Sequence, residues 1–571
     1  MRVAEADFET TTVADDCRVW AWAVCFCDNP EQVYFGNAID GFLLYMAQHK
    51  ADYYFHNLGF DGKFLVDRLM HLGYQWVPQR PSAGEFTTLV SSKGKFYQLE
   101  VTFFSGVSVR IRDSLKLFPM SVRNIARAYD LPEGKGELDY DTVREVGHEL
   151  TDTERDYIRR DVQIVAQALQ NNIEQGLTKM TVGSNAFGYF KRNFGKRRYQ
   201  KLFPSLTVEQ DACVRAAYRG GFTYVEPRWA GVDVWGGISV DYNSMYPSML
   251  ISKPYPVGKP HQFFGRYEDD PAHPLYVQSL ACTFTLREGG IPMIQLRNSG
   301  FFGKHEYVRD CPHVMGLTLT SVDLELFLEN YEVDVYSWEG GLKFAAADGC
   351  TLFGDYVNHW GEVKRTSRGP MRQLAKLMLN NLYGKFATNP DVTQKVPSMG
   401  DDGVVRWELG KPETRDPVYI PVGAFCTAWA RHTLIHAIHA NRERFVYCDT
   451  DSMHLAGTED PAGIRLHDTD FCAWKVEGQF THARHLRAKC YIWDLNGEVG
   501  VTCAGMPDNV KRMCTFENFR FGLNNVNPVT GKPCRGAACA LGLICPGLGK
   551  LVPKAVAGGV VLVPGKYELK E

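Results

Sequence analysis

Asp449 and Asp451, in the stretch Tyr447-Cys448-Asp449-Thr450-Asp451-Ser452, are the residues best placed to do chemistry. Arg444-Phe445-Val446 before them and Met453-His454-Leu455 after them have β character, so the acids sit at the tip of a predicted hairpin. Side chains two apart on an extended backbone share a face, which predicts that the two carboxylates converge and repel unless a proton or cation offsets them. A divalent metal is the expected counter-ion. A solvated Asp-rich turn has the same composition, so the rest of the chain has to decide between the two.

The N-terminal third carries a second set of acids. Residues 2–10 read as a strand projecting Asp7 and Glu9 from one face. Tyr53-Tyr54-Phe55 is a short β run leading into His56-Asn57-Leu58-Gly59-Phe60-Asp61, where Asn57 and Asp61 stand one helical turn apart. Thr151-Asp152-Thr153-Glu154 is a capping box, after which Ile158, Val162, Val165, Leu169 and Ile173 recur at helical spacing as far as Gly176. Tyr157 and Asp161 share one side of that helix. Asp7, Glu9, Asp61 and Asp161 together make a candidate two-metal cluster, able to activate a water and stabilise the leaving oxygen of a phosphodiester. Tyr157 is placed to orient that water.

The elements that must hold these acids belong to a large chain. Its 571 residues provide roughly three to five domains' worth of core. A hydrophobic content of 45% and a charged content of 23% are globular values, and no apolar run reaches the roughly 18 residues a membrane span needs. Glu5, Asp7 and Glu9 stand where an apolar targeting core would lie, which argues against secretion. The 16 cysteines, none spaced C-x-x-C, read as reduced thiols; Cys534, Cys539 and Cys545 form a loose cluster without a fourth zinc ligand. A formal net charge of −3 confines any nucleic-acid contact to local patches. One candidate is Lys191, Arg192, Lys196, Arg197, Arg198 and Lys201, interleaved with Phe187, Tyr189, Phe190 and Phe194, for which a solvated basic face is the competing account. There is no internal repeat.

Further motifs follow. The paired glycines of Tyr218-Arg219-Gly220-Gly221 permit a close backbone approach to a ligand or positive φ. A strand from Gly237 ends at Asp241, and the turn toward Pro247 leaves backbone N–H groups free to meet phosphate. Lys364, Arg368, Arg372 and Lys376 recur every four residues, and Asn380 and Gly384 continue the spacing. Pro370 opens this helix, with Lys364 and Arg368 on the preceding element, while Leu374, Leu377, Met378 and Leu382 face inward. The cationic stripe therefore faces solvent or an anion. Residues from Pro254 to about Phe353 read as an inserted subdomain of short strands and helices, and Asn389 to about Pro421 as a loop-rich excursion with four prolines. The helix around Ala428-Trp429-Ala430-Arg431 returns to the core, and Lys489-Cys490-Tyr491 follows. The tail from about Phe521 is rich in Gly and Pro.

In type, order and spacing these motifs resemble those of the protein-primed family B DNA polymerases, the phage phi29 type. The resemblance implies an α+β chain with an α/β N-terminal part: an RNase-H-like 3′→5′ exonuclease domain joined to a right-hand polymerase with two inserted subdomains. The implied division is exonuclease 1–181, palm 182–253, terminal-protein region one 254–352, fingers 353–388, terminal-protein region two 389–420, palm again 421–520 and thumb 521–571. Asp7, Glu9, Asp61 and Asp161 become the exonuclease acids, with Asp7, Glu9 and Asp161 as metal ligands, Tyr157 and Lys135 assisting. Thr10, His56, Asn57, Phe60, Phe64, Ser114, Leu115 and Tyr140 hold the unpaired primer end, and aromatic faces stack on splayed bases. In the polymerase part, Asp241, Tyr242 and Asp451 ligate two Mg²⁺, with Mn²⁺ able to substitute, and Asp449 is an outer carboxylate. Tyr246 excludes a 2′-hydroxyl. Lys364, Arg372 (where the family carries lysine) and Lys376 bind the dNTP, bordered by Asn380 and Tyr383. Tyr218, Gly220, Gly221, Gly384, Lys385, Lys489 and Tyr491 contact template-primer DNA. The implied partners are that DNA, single-stranded DNA at the exonuclease site and a terminal priming protein, with a monomer in the bacterial host cytoplasm replicating a phage genome. Two other functions fit the same motifs: an exonuclease whose palm only binds DNA, and a non-catalytic scaffold for the priming protein.

Overall fold

The computed structural model describes residues 2–131, 138–139, 142–295, 307–495, 497–506, 508–527, 530–533 and 551–570. Lys135, Tyr140, Cys534, Cys539 and Cys545 lie outside the described residues. Strand Arg2–Thr10 runs within an eight-stranded mixed sheet, antiparallel to Val19–Phe26 and parallel to Ala51–Phe55, which in turn lies parallel to Ser108–Asp113. Strand alternation divides its side chains cleanly. Ala4, Ala6 and Phe8 pack with Phe42, Leu58 and Phe64 of helices Ile39–Gln48 and Leu58–His71. Glu5, Asp7 and Glu9 take the opposite face, where helix Asp152–Glu174 crosses. That helix begins with the expected capping box, the Glu154 N–H donating to Thr151 Oγ1 at 3.3 Å and the Thr151 N–H to Glu154 Oε2 at 3.0 Å. Ile158, Val162, Val165 and Leu169 are buried beneath it, each stabilising the contact by about 1.5–3 kcal/mol. A charge at Val165 would break the contact and misplace Asp161.

The second sheet is antiparallel throughout, in the order Glu498–Cys503, Cys490–Leu495, Trp474–Arg487, Asp233–Tyr242, Ser452–Ala456, Phe445–Asp449 and Thr223–Val225. Helix Ile420–Ala440 is apolar on nearly every side because it is enclosed: Ile238, Val240, Cys448, Met453 and Leu455 of the sheet share one core with its Leu434, Ile435 and Ile438. The cationic residues belong to two helices, Gly349–Thr366 and Gly369–Phe386, packed against each other. Arg368 is the N-cap of the second, and Pro370 sits in its first turn as expected.

Three segments differ from their sequence reading. Residues 254–352 hold one four-stranded antiparallel sheet, including the 18-residue strand Tyr331–Asp348, with helix Ser321–Asn330 beside it, rather than short mixed elements. The proline-rich excursion is a β-ribbon, Asp391–Met399 paired with Val405–Thr414. Both its strands are edges, where the missing N–H groups of Pro397 and Pro412 cost little. In the basic segment, Phe187, Phe190, Phe194 and Tyr199 join Phe203, Phe353 and Phe386 in one ring cluster, so these aromatics are core rather than a stacking surface. Lys191 and Arg198 cover rings of that cluster, 4.6 Å from Tyr199 and 4.3 Å from Phe194. Beyond residue 550, hairpin Leu551–Val556 and Gly559–Pro564 returns to the N-terminal part, burying Val560 and Val561 against helix Leu58–His71. Among the described residues no helix is long and apolar enough to cross a membrane.

Two candidate active sites

The acids fall into two separate cavities. The first, about 810 Å³, is lined by Asp7, Glu9, Asp61, Tyr157 and Asp161 together with Thr10, His56, Asn57 and Phe60. Strand Arg2–Thr10 brings Asp7 and Glu9, helix Leu58–His71 brings Asp61 in its first turn, and helix Asp152–Glu174 brings Tyr157 and Asp161. Asn57 takes the left-handed conformation at φ 82° as N-cap, which lets the strand before it turn at once into the helix. Burial, then the neighbouring Asp7 carboxylate, pushes the Asp61 carboxyl well above the ordinary range. Among the described lining residues there is no lysine or arginine. Val560, Val561 and Leu562 of the C-terminal hairpin supply an apolar wall.

Three residues of the resemblance sit elsewhere than on this wall. Phe64 is 1% exposed and turned into the core, where it closes on the backbone of Gly559. Ser114 is fully buried behind the cavity, and Leu115 stands beside it on a short 3₁₀ turn. Two buried acids that the motif reading passed over hold this arrangement. Asp113 Oδ1 accepts from the backbone N–H of Asn57 at 3.1 Å and of Leu115 at 2.9 Å, while Lys116 reaches its other oxygen at 2.6 Å. Asp113 therefore ties two strand ends into one rim. Glu5, one step back from Asp7 on the same face, accepts from Ser114 Oγ at 3.2 Å, and Ser114 Oγ lies 3.1 Å from His56 Nδ1. Burial and Asp7 push the Glu5 carboxyl well up. Period-2 spacing from Asp7 is the sequence signal for Glu5; Asp113 carries none.

The second cavity, about 690 Å³, has an acid floor and a basic wall. Asp241 is the penultimate residue of its strand and the register partner of Ser452 on one side and of Lys475 on the other. Asp451 lies in the two-residue turn of hairpin Phe445–Asp449 and Ser452–Ala456, where Thr450 adopts φ 61°. Burial, then the Asp241 carboxylate, raises Asp451 to about 7. Opposite stand Lys364, Arg372 and Lys376, with Asn380 and Tyr383 one and two turns further on. Burial and the two neighbouring cations lower the Lys364 ammonium, whose Nζ donates to Ser244 Oγ at 3.1 Å. The Tyr246 ring stacks on Tyr383 with centroids 3.7 Å apart, forming one flat wall. A side chain on Gly384 would meet nothing within 4 Å, whereas Lys385 folds back toward Gly183.

The hairpin acids do not converge as alternation predicts. The turn interposes the left-handed Thr450, and Asp449 points away, accepting from Thr223 Oγ1 at 2.8 Å and from Lys489 Nζ at 2.8 and 2.9 Å. Asp449 thus docks the Lys489-Cys490-Tyr491 strand onto the hairpin instead of facing the cavity, and Tyr491 packs near Tyr447. The paired glycines are used internally: a side chain on Gly221 would lie 2.6 Å from Thr450 Oγ1, and the Thr450 N–H donates to Phe222 O at 2.7 Å. Gly220 has open space, Tyr218 is half-buried beside them, and neither glycine has positive φ. Arg431 fixes this loop from below, donating to the carbonyls of Arg219 at 2.7 Å and Gly220 at 2.6 Å while paired with buried Asp323. Arg127 and Asp130, from the N-terminal part, and Lys475 also line the cavity and carried no sequence signal.

A strand carboxylate beside a hairpin-turn carboxylate, faced by cations on a helix pair, is the arrangement of a palm-and-fingers polymerase. Residues 44–152 and 142–467 match the family model described as DNA polymerase type B, organellar and viral. The DNA polymerase of Bacillus phage M2 is 40% identical over the full length of both chains. The chain belongs to this type B DNA polymerase family. The phi29 DNA polymerase complexed with primer-template DNA and incoming nucleotide substrates is similar throughout, with a TM-score of 0.91 and 39% identity over 100% of both chains. The same polymerase complexed with single-stranded DNA gives 0.90 at 38% identity, again over 100% of both.

Proposed function

We propose that this polymerase copies a phage genome by template-directed addition of dNTPs to a primer 3′-hydroxyl, trims errors in its first cavity, displaces the strand ahead, and starts from the hydroxyl of a terminal protein. Residues 1–181 would carry trimming, 182–253, 353–388 and 421–520 synthesis, 254–352 and 389–420 the grip on priming protein and duplex, and 521–571 the thumb. The observation that supports synthesis best is the second cavity's pairing of an acid floor with Lys364, Arg372 and Lys376. Three cations gathered opposite paired acids match the charge of a triphosphate better than the single charge of a phosphodiester.

The donor chemistry present suits divalent metal in both cavities, because in each a carboxyl is raised by burial and by a neighbouring carboxylate that a cation would relieve. Asp241, Asp451 and Tyr242 in one cavity, and Asp7, Glu9 and Asp161 with Asp61 beside them in the other, would hold Mg²⁺ or Mn²⁺, which when bound would supply positive charge to the attacking and leaving oxygens. Lys376 and Arg372 bind the triphosphate and stabilise charge developing on the pyrophosphate. The Tyr246–Tyr383 wall supports the sugar and nascent pair, leaving no room for a 2′-hydroxyl. In the first cavity His56, Asn57, Thr10 and Phe60 hold a frayed strand end while Tyr157 orients water. The template-primer DNA contacts of Lys489, Tyr491, Gly384 and Lys385 complete the path.

Extension of a primed single-stranded circle with dNTPs and Mg²⁺ tests the reading, using wild type and an Asp7→Ala, Asp61→Ala double variant. Both should synthesise and continue past the first lap, while only wild type should digest single strands. Stalling at the first duplex removes strand displacement. Loss of synthesis together with digestion overturns the two-site assignment, and absence of a covalent dNMP–protein adduct with the phage's terminal protein removes protein priming.

A further inference from the structure

We infer that Lys475 is a built-in counter-ion for Asp241, one that occupies the charge site of a divalent metal until the metal displaces it. Asp241 and Lys475 are direct register partners on adjacent antiparallel strands, Asp233–Tyr242 and Trp474–Arg487. Side chains so paired project from the same face within a few ångströms of each other. The ammonium lies 3.3 Å from Asp241 Oδ2 and 4.0 Å from Glu477 Oε1, on the floor of the same cavity as Asp451. It is the cavity cation on the palm strands, apart from Lys364, Arg372 and Lys376 on the helices.

This placement has a definite electrostatic consequence. Without metal, Lys475 offsets Asp241 and relieves its repulsion with Asp451. Once a divalent ion sits on Asp241, an ammonium at the same carboxylate is a like charge at close range. Lys475 must then let go of Asp241, and Glu477, two residues along the same face of its strand, is the waiting acceptor. The side chain is 37% exposed, so the exchange needs only a rotamer change at the surface. Lys475 is accordingly a positioning residue that sets how much metal the palm requires. The inference rests on the reading that Asp241 and Asp451 hold the metal.

Mn²⁺ titration of the DNA-free protein, followed by loss of the free-ion EPR signal, tests it in wild type and in Lys475→Gln and Lys475→Arg variants. An Asp7→Ala, Asp61→Ala background removes acids of the other cavity. Lys475→Gln should bind Mn²⁺ about fivefold more tightly, the factor expected for removing one partly exposed ion pair, and its Mg²⁺ midpoint for primer extension should fall in parallel. Lys475→Arg should restore the wild-type midpoint. An unchanged or weaker Mn²⁺ affinity in Lys475→Gln overturns the proposal, as does a raised KM for dNTP with no change in metal midpoint, which would make Lys475 a triphosphate contact. Failure of Asp451→Asn to remove any bound Mn²⁺ would instead strike the metal reading itself.

Discussion

The two cavities are alike in acids and unlike in the charge that faces them. Around Asp7, Glu9, Asp61 and Asp161 the described walls are hydroxyls, an amide, aromatic rings and an apolar hairpin. Around Asp241 and Asp451 they include tyrosine and asparagine too, but add the lysines and arginines that the first cavity's described walls lack. A phosphodiester being hydrolysed brings one charge to the site, whereas a dNTP brings several. On the proposed assignment the wall opposite the acids is what suits one cavity to hydrolysis and the other to a dNTP, the acid chemistry being shared. The hardest way to break this contrast is to silence one cavity and watch the other. Asp451→Asn should lower dNTP incorporation by on the order of 10³-fold or more, while digestion of single-stranded DNA stays within about twofold, as expected for sites far apart. Asp7→Ala with Asp61→Ala should do the reverse. A parallel fall of both activities in a variant with wild-type circular dichroism would mean that one site serves both.

A smaller effect separates the walls rather than the floors. Lys376→Ala should reduce kcat/KM for dNTP incorporation by about 10²-fold, the scale seen when one preorganised charge-stabilising donor is lost. Digestion should not change. If Lys376→Ala slowed digestion equally, the basic wall would be a general DNA-binding surface and the contrast would fail.

The scaffold that aims Asp451 offers a third, milder test. A methyl group at Gly221 would press on Thr450 at 2.6 Å, and Thr450 precedes Asp451 in the turn. Gly221→Ala should cost about tenfold in synthesis through displacement of the carboxylate, and Thr450→Ser in the same chain should recover part of it by removing the Thr450 methyl, whose carbon lies 2.9 Å from the same point. Synthesis unaffected by Gly221→Ala would show that the turn absorbs the shift.

What could be read from the sequence follows from which interactions are local. The Asp7 strand, the capped helix of Asp161 and the Pro370 start were legible because alternation, caps and proline act within a few residues. The hairpin was legible too, but alternation failed at its tip, because a left-handed Thr450 breaks the period of two between Asp449 and Asp451. That Phe64 packs beneath a hairpin arriving from beyond residue 550 is not legible in its motif position, which says nothing of what packs above it. Lys475 was invisible for the same reason: its meaning comes from a strand more than two hundred residues away. Gly221 reads from sequence only as a place of close approach, and its closeness to Thr450 is a contact that the sheet order reveals.

The smallest effect sharpens the contrast in stability rather than activity. Asp451 titrates near 7 in the metal-free fold against 3.8 for an ordinary aspartate, raised first by burial and then by Asp241. A carboxyl raised on folding binds a proton more tightly when folded, so its contribution is complete below about pH 4 and is lost as pH rises through about 7. Metal-free protein should therefore lose stability across that window, and Asp451→Asn, which removes the charge, should raise the melting temperature at pH 8 by about 2 °C yet change little at pH 4. The Asp61 carboxyl is raised in the same direction by burial and Asp7, and among the described residues lining its cavity there is no lysine comparable to Lys475. Asp61→Asn should accordingly give the larger gain of the two at pH 8, and Mg²⁺ should erase both gains by stabilising the wild-type acids. Differential scanning calorimetry with EDTA at the two pH values decides the matter: a larger gain for Asp451→Asn than for Asp61→Asn would mean that Lys475 does not relieve the palm acids, and the difference between the cavities would then lie in the substrate wall alone.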